Sequence, residues 1–346
     1  MEIKEISVNC DRPYGVFIKK GLLSEAAERI TGLLQAERYC IVSDDNVYPI
    51  YGEMLRKSLE SKGVSVHFFV FAHGEEHKTL QTVGEIVEYL AQASFTRSDC
   101  LIALGGGIVG DVCGFAASVY MRGIRFVQIP TTLLAAVDSS VGGKTGVNLL
   151  GYKNQIGAFW QPSVVLCDPE TFDTLPEAEF RNGMAEVIKY AAICAPELVD
   201  ILNGDICEII ARCVGIKSDI VSRDERDTGE RMLLNYGHTF GHAVECVSNE
   251  TVPHGMAVAI GMMSAARMAE RAGIAESGTA DATARVLEAH GLPLSAEGYS
   301  SQAIYRAMLN DKKRADGGIT LVLPQRFGKC VLKRMTVEEL AEFYRF

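Results

Sequence analysis

The chain has 346 residues, 48% of them hydrophobic and 23% charged, which is globular composition with enough length for about two separate cores. Its net charge of −10 argues against nucleic acid, which demands a basic face, while leaving room for a small anion held by a few local charges. No apolar run approaches the roughly 18 residues of a membrane span. The opening MEIKEISVNCDRPYGVF has no apolar core of a secretory signal. Ten cysteines, without a CxxC pair, lie mostly in apolar stretches such as RYCIVSD and SDCLIALG. Buried, reduced thiols in a cytoplasmic protein explain this better than a disulfide framework or a cysteine zinc site.

In chain order, the predicted strands of the first part are EISVNC, RYCIVSD, VSVHFFVF, SDCLIALGG, IRFVQIPTT and SVVLCDP. Helical patterns lie between them over Ser24–Leu34, Val47–Lys62 and Leu80–Ala93. Short apolar strands separated by helices predict a parallel, helix-covered sheet, a Rossmann-like α/β domain. After the turn-rich DPETFDTLPEAEF the texture changes to long helices: Ala178–Cys194, Pro196–Asp219, Arg231–Val247, Val258–Ala272 and Asp281–His290. ITLVLPQRFGKCVL reads as a late hairpin. The expected division is therefore an α/β domain over 1–175 and a mostly α-helical, metal-binding domain over 176–346.

LIALGGGIVGDVCGF carries the clearest local signal of the first part. Gly105, Gly107 and Gly110 fit G-x-G-x-x-G after a strand and at the start of a helix, where backbone can approach a pyrophosphate. Tight strand–helix packing would produce the same glycines. No acidic residue ends the following strand, which finishes on Thr131 and Thr132, so Asp44 at the end of RYCIVSD is the candidate for the ribose hydroxyls. Asp44 equally suits a cap for the helix starting near Val47.

Three of the seven histidines fall between 238 and 254, flanked by Gly237, Gly241 and Gly255. His238 and His242 are four apart on one predicted helix, His254 opens the next, and Glu186 lies one helix earlier. Such donors suit Zn²⁺ or a similar divalent ion. Spacing does not choose among the four; on its own it favours the His238–His242 pair.

A third constellation is anion-binding. Arg122, Asp138, Lys144, Lys153 and Asn154 sit amid Gly and Ser between 121 and 162, and Lys189, Lys217, Arg231 and Asn235 follow. Each alone reads as a solvated charge; the cluster suits a phosphate or carboxylate. Lys189, three residues after Glu186, points the same way.

DSSVGGKTGVN, KNQIGAFWQP, GMAEVIKY, NYGHTFGHAVE and HGMAVAIGM, in this order, resemble the 3-dehydroquinate synthase family of sugar phosphate cyclases. The resemblance runs from GEEHK at 74–78 to DKK at 311–313. It implies two cofactors, NAD and one Zn²⁺ or Co²⁺, a small phosphorylated sugar acid as substrate, and a homodimer. It implies conversion of 3-deoxy-D-arabino-heptulosonate 7-phosphate into 3-dehydroquinate and phosphate by transient oxidation, elimination, reduction, ring opening and aldol closure. By motif, the implied metal ligands are Glu186, His238 and His254, which moves His242 to the phosphate. The implied NAD contacts are Glu75, Lys78, Gly107, Gly110, Asp111, Thr131, Thr132, Lys144, Lys153 and Thr171, Phe172, Asp173 and Thr174. The implied substrate contacts are Arg122, Asp138, Lys144, Asn154, Lys189, Lys217, Arg231 and Asn235, with one of Lys312 and Lys313. Met256, Asp227 and Tyr236 depart from the usual pattern, none at an implied ligand. The competing readings are another sugar phosphate cyclase, with an inosose or valiolone product, and a metal- and NAD-dependent polyol dehydrogenase.

Overall fold

A computed structural model describes residues 2–150, 152–312 and 318–344. The chain forms two compact units, Met1–Pro176 with Ile206–Arg226, and Glu177–Asp205 with Asp227–Phe346.

In the first unit the elements run β1 (Lys4–Val8), β2 (Tyr14–Ile18), α1 (Leu22–Leu33), β3 (Arg38–Asp44), α2 (Glu53–Glu60), β4 (Ser65–Phe71), α3 (Leu80–Gln92), β5 (Cys100–Gly105), α4 (Gly107–Val119), β6 (Arg125–Pro130), β7 (Lys144–Leu149), β8 (Tyr152–Phe159) and β9 (Val164–Cys167). Seven strands form one sheet in the order β1-β2-β9-β6-β5-β3-β4. All its pairings are parallel except β1 with β2. The near-continuous apolar runs follow from burial on both faces. In β3, Tyr39 and Ile41 join the core under α1 and α2, while Cys40 and Val42 join the core under α3 and α4; in β5, Ile102 and Leu101 divide the same way. β2 and the β7–β8 hairpin were not expected. The hairpin occupies the Gly-, Lys- and Asn-rich stretch that reads as a loop.

In the second unit come α5 (Glu177–Ile193), then α6 (Ile206–Arg223), which belongs to the first unit, then α7 (His238–Val247), α8 (His254–Arg271), α9 (Thr279–Ala289), α10 (Ser301–Lys312), the hairpin β10 (Gly318–Arg326) with β11 (Lys329–Thr336), and α11 (Val337–Tyr344). The expected helix Pro196–Asp219 is broken: a 3₁₀ turn covers Pro196–Ile201 and α6 starts after Gly204 and Asp205. α6 packs beside β1, with Ser218 donating to the Ser7 carbonyl at 2.9 Å and Lys4 paired with Glu208 at 2.6 Å. This differs from the single cut between 175 and 176 expected from texture, because the helical pattern of α6 does not say which surface buries it. The expected helix Arg231–Val247 is also interrupted, at Gly237, whose φ of 81° a side chain would strain. All ten cysteines are free, and no helix among the described residues is long and apolar enough to cross a membrane.

Candidate functional site

The second unit brings one carboxylate and two imidazoles together from three helices. α8 packs against both α5 and α7. The approach to α5 depends on Gly255, where a Cβ would lie 2.0 Å from the Asn182 carbonyl oxygen and whose N–H donates to the Asn182 side chain. The approach to α7 depends on Gly261, where a Cβ would lie 1.9 Å from the Gly237 carbonyl oxygen. Small residues at these crossings carry His254, His238 and Glu186 into one place. Glu186 Oε1 is 3.6 Å from His238 Nε2 and 3.4 Å from His254 Nε2. The donor atoms of these three residues all lie within 4.8 Å of one another. A carboxylate with two imidazoles is a donor set that fits Zn²⁺ or Co²⁺ and leaves room for a substrate oxygen.

His242, favoured by spacing alone, does not join Glu186. Its ring is exposed, 5.5 Å from that of His238 and 6.1 Å from that of His254. It belongs instead to a second group, His242, Glu245 and His254. Glu245, to which no role had been given, accepts from His254 Nδ1 at 3.1 Å. Its signal was its place in NYGHTFGHAVE, seven residues after His238 and hence on the same helix face.

Burial and the facing carboxylates set the charges here in opposite senses. Desolvation pushes the His238 imidazole down to about 3. Burial opposes charge on His254 too, but hydrogen bonds to Glu186 and Glu245 outweigh it and hold this imidazole up at about 9. Lys189, fully buried one turn after Glu186, is ion-paired with it. Arg231 is buried in the 3₁₀ turn Glu230–Asn235, and Asn235 is exposed at its end.

In the first unit, β3 leads to β4 on one side of the sheet and β5 lies on the other, so the strand order reverses between β3 and β5. The carboxyl ends of these strands are where an open α/β sheet binds ligands. Asp44 ends β3, and Gly105 and Gly107 join β5 to α4. α4 begins without a side-chain cap, and a Cβ at Gly110 would lie 2.5 Å from Gln128 Oε1 on β6. Uncapped N–H groups and close strand–helix packing both fit a dinucleotide pyrophosphate. Asp44 Oδ1 accepts from the N–H groups of Asn46 at 3.0 Å and Val47 at 2.8 Å, so the turn-capping role is present in the geometry. Thr131 and Thr132 follow β6; Thr132 caps the turn starting at Ala135.

Lys78 Nζ donates to Asp111 Oδ2 and Asn154 Oδ1, each at 2.6 Å, and Asn148 donates to Glu75 at 2.8 Å. Burial raises the Asp111 carboxyl, against the pull of Lys78. Lys217, reaching from α6, binds Asp138 through both its backbone carbonyl, at 2.6 Å, and its side chain. Four of the expected cations and acids of the first unit are thus paired with one another. Arg122, in the left-handed region at φ 65°, and Lys144 are exposed, and Lys153 is half-buried in β8. Of the stretch 171–174, Thr171 and Phe172 are buried while Asp173 and Thr174 are exposed; Tyr51 reaches Thr174 at 2.7 Å. The side chains of Lys312 and Lys313 lie outside the described residues.

Two solved structures align along almost all of the chain. They are 2-deoxy-scyllo-inosose synthase, complexed with carbaglucose-6-phosphate, NAD⁺ and Co²⁺ (27% identity, TM-score 0.88, 99% of both chains), and a 2-epi-5-epi-valiolone synthase from Streptomyces hygroscopicus with NAD⁺ and Zn²⁺ bound (29% identity, TM-score 0.86, 99% of this chain and 97% of that one). A probable glycerol dehydrogenase from Sinorhizobium meliloti shares the fold alone, at 14% identity and a TM-score of 0.68 over 95% of this chain and 94% of that one. The fold is therefore that of the sugar phosphate cyclases. Within it, residues 68–182 match the 3-dehydroquinate synthase N-terminal family and 183–314 its C-terminal counterpart. A 3-dehydroquinate synthase of Streptococcus sanguinis is 44% identical over 96% of this chain and 97% of its own, and one of Streptococcus pneumoniae 42% identical over 96% of each. The chain belongs to the 3-dehydroquinate synthase family.

Proposed function

We infer that the protein is a phosphorus–oxygen lyase that converts 3-deoxy-D-arabino-heptulosonate 7-phosphate into 3-dehydroquinate and phosphate. One observation carries the reading: in a chain 44% identical along its length to a 3-dehydroquinate synthase, Glu186, His238 and His254 converge within 4.8 Å. Those three residues would hold one Zn²⁺ or Co²⁺, and the glycine turn after β5 an NAD. When bound, NAD supplies reversible hydride acceptance and the ion supplies Lewis acidity at the substrate's hydroxyl oxygens. Lys189 offsets the charge of Glu186 and fixes its carboxylate. Lys217 orients Asp138, and Lys78 orients Asn154. In the second unit, His242, Arg231 and Asn235 are the polar groups read for the phosphorylated substrate; in the first, Arg122 and Asn154 are read as anion-binding groups. Glu75, Lys78, Asp111, Lys144, Lys153 and the 171–174 stretch contact NAD. The free thiols support a cytoplasmic protein. A homodimer accords with the apolar side chains of Phe68 and Val70 exposed on the edge strand β4.

The test is incubation with the heptulosonate phosphate, NAD and Co²⁺, reading phosphate, dehydroquinate and NADH together. Phosphate and dehydroquinate are expected in equal amounts without net NADH. Net NADH from a simple polyol, with no phosphate released, would replace this reading with a dehydrogenase. Turnover of a different sugar phosphate alone would replace it with another cyclase.

A further inference from the structure

We propose that Glu245 is a positioning residue for His254, holding its ring so that Nε2 faces Glu186 and His238. The proposal rests on the reading of Glu186, His238 and His254 as metal ligands. A helical repeat of 3.6 residues sets His238, His242 and Glu245 on one face of α7. Glu245 is only 2% exposed, and a carboxylate so buried requires a partner. Its Oε1 lies 3.1 Å from His254 Nδ1, while Nε2 of the same ring lies 3.4 Å from Glu186 Oε1. One imidazole thus spans two buried carboxylates from different helices.

A neutral imidazole carries one N–H and one lone pair. An imidazole that ligates an ion is neutral, and because Glu245 can only accept, it keeps the proton on Nδ1 and leaves Nε2 as the ligating nitrogen. That nitrogen faces the same Glu186 oxygen as His238 Nε2, where an ion held by all three residues would replace its proton. The opposite arrangement, in which His242, Glu245 and His254 act as the ligands, would engage His254 through its other nitrogen. Two features disfavour it. The rings of His238 and His254 are closer, at 5.2 Å, than those of His242 and His254, at 6.1 Å. Glu186 is fully buried beside both Nε2 atoms, whereas His242 is exposed.

The experiment titrates the demetallated full-length protein with Co²⁺, followed by visible absorption, and records ring-nitrogen NMR of the Zn²⁺-loaded protein. Glu245→Ala is expected to weaken Co²⁺ binding about 10- to 100-fold. Glu245→Gln, whose amide oxygen can still accept from Nδ1–H, is expected to recover most of that loss. His254 is expected to show a protonated Nδ1 and a metal-bound Nε2. Affinities of both variants within twofold of the parent protein, or a metal-bound Nδ1, would overturn the proposal. If Glu245→Ala does not fold, Glu245→Gln and the spectrum of the parent protein still decide. His238→Ala is the control: unchanged Co²⁺ affinity there would sink the ligand assignment itself, whereas loss there with silent Glu245 variants would sink only the positioning role.

Discussion

The nucleotide end of the first unit and the metal centre of the second are made of different materials. At the end of β5, the candidate chemistry is backbone: uncapped N–H groups of α4 and glycines that keep side chains away. At the metal centre it is side chains, one each from α5, α7 and α8, which must arrive together. A backbone site is fixed by the strand order and one turn, and tolerates small changes nearby. A side-chain site inherits every error in how three helices cross, so its supporting contacts matter as much as its ligands. Substitutions at five positions probe this contrast.

The largest effect is expected from the centre itself. His238→Ala should abolish stoichiometric metal binding and lower kcat/KM at least about 10³-fold, about 4 kcal/mol in the barrier, while NAD still binds. NAD affinity falling in parallel with the metal would mean that the two ends are not independent. His242→Ala, one turn further on α7, should keep the metal and lose about 10²-fold in phosphate release. Metal loss in both variants, read by elemental analysis, would return His242 to the ligands that i, i+4 spacing favours.

A matched glycine pair tests the two building styles. At Gly255 a Cβ meets the Asn182 backbone at 2.0 Å, which cannot move aside alone. Gly255→Ala should cost about 3 kcal/mol on thermal or denaturant unfolding and weaken metal binding. At Gly107 a Cβ meets Ser139 Oγ at 3.0 Å, a hydroxyl that can rotate. Gly107→Ala should leave stability within about 0.5 kcal/mol while raising the Kd for NAD. Equal destabilisation by the two would erase the distinction.

The same distinction decides what could be read from the sequence. The central strands were legible because burial on both faces leaves continuous apolar runs such as CLIALG. β7 and β8 were not, because KTGVNL and YKNQIGAF mix glycine and polar residues, and only Val147 with the partly buried Ile156 and Ala158 carries the hairpin onto the core. G-x-G-x-x-G located the nucleotide end because that signal is local. The choice between His242 and His254 is not local. It depends on α8 meeting α5 at Gly255, a crossing that helical periodicity does not encode, and only the motif resemblance had separated the two histidines. Glu245 stood in plain view, seven residues after His238, but a lone acid on a helix face reads as solvated until its burial is known.

The smallest effect concerns Asp44, where the two roles can be pulled apart. Its Oδ1 already receives the N–H groups of Asn46 and Val47, a turn that an asparagine side chain closes equally well. Asp44→Asn should therefore leave stability within about 0.5 kcal/mol. It removes the negative charge that strengthens acceptance from a ribose hydroxyl, so the Kd for NAD should rise up to about tenfold, the difference of about 1 kcal/mol between a charged and a neutral hydrogen bond. Asp44→Ala should add a stability loss of about 1 kcal/mol, because the two N–H groups then lose their acceptor. An unchanged Kd in Asp44→Asn, with the stability loss confined to Asp44→Ala, would make Asp44 a turn residue only. The end of β3 would then add no side-chain charge to what the backbone at the end of β5 offers the nucleotide, which would sharpen the contrast with the metal centre.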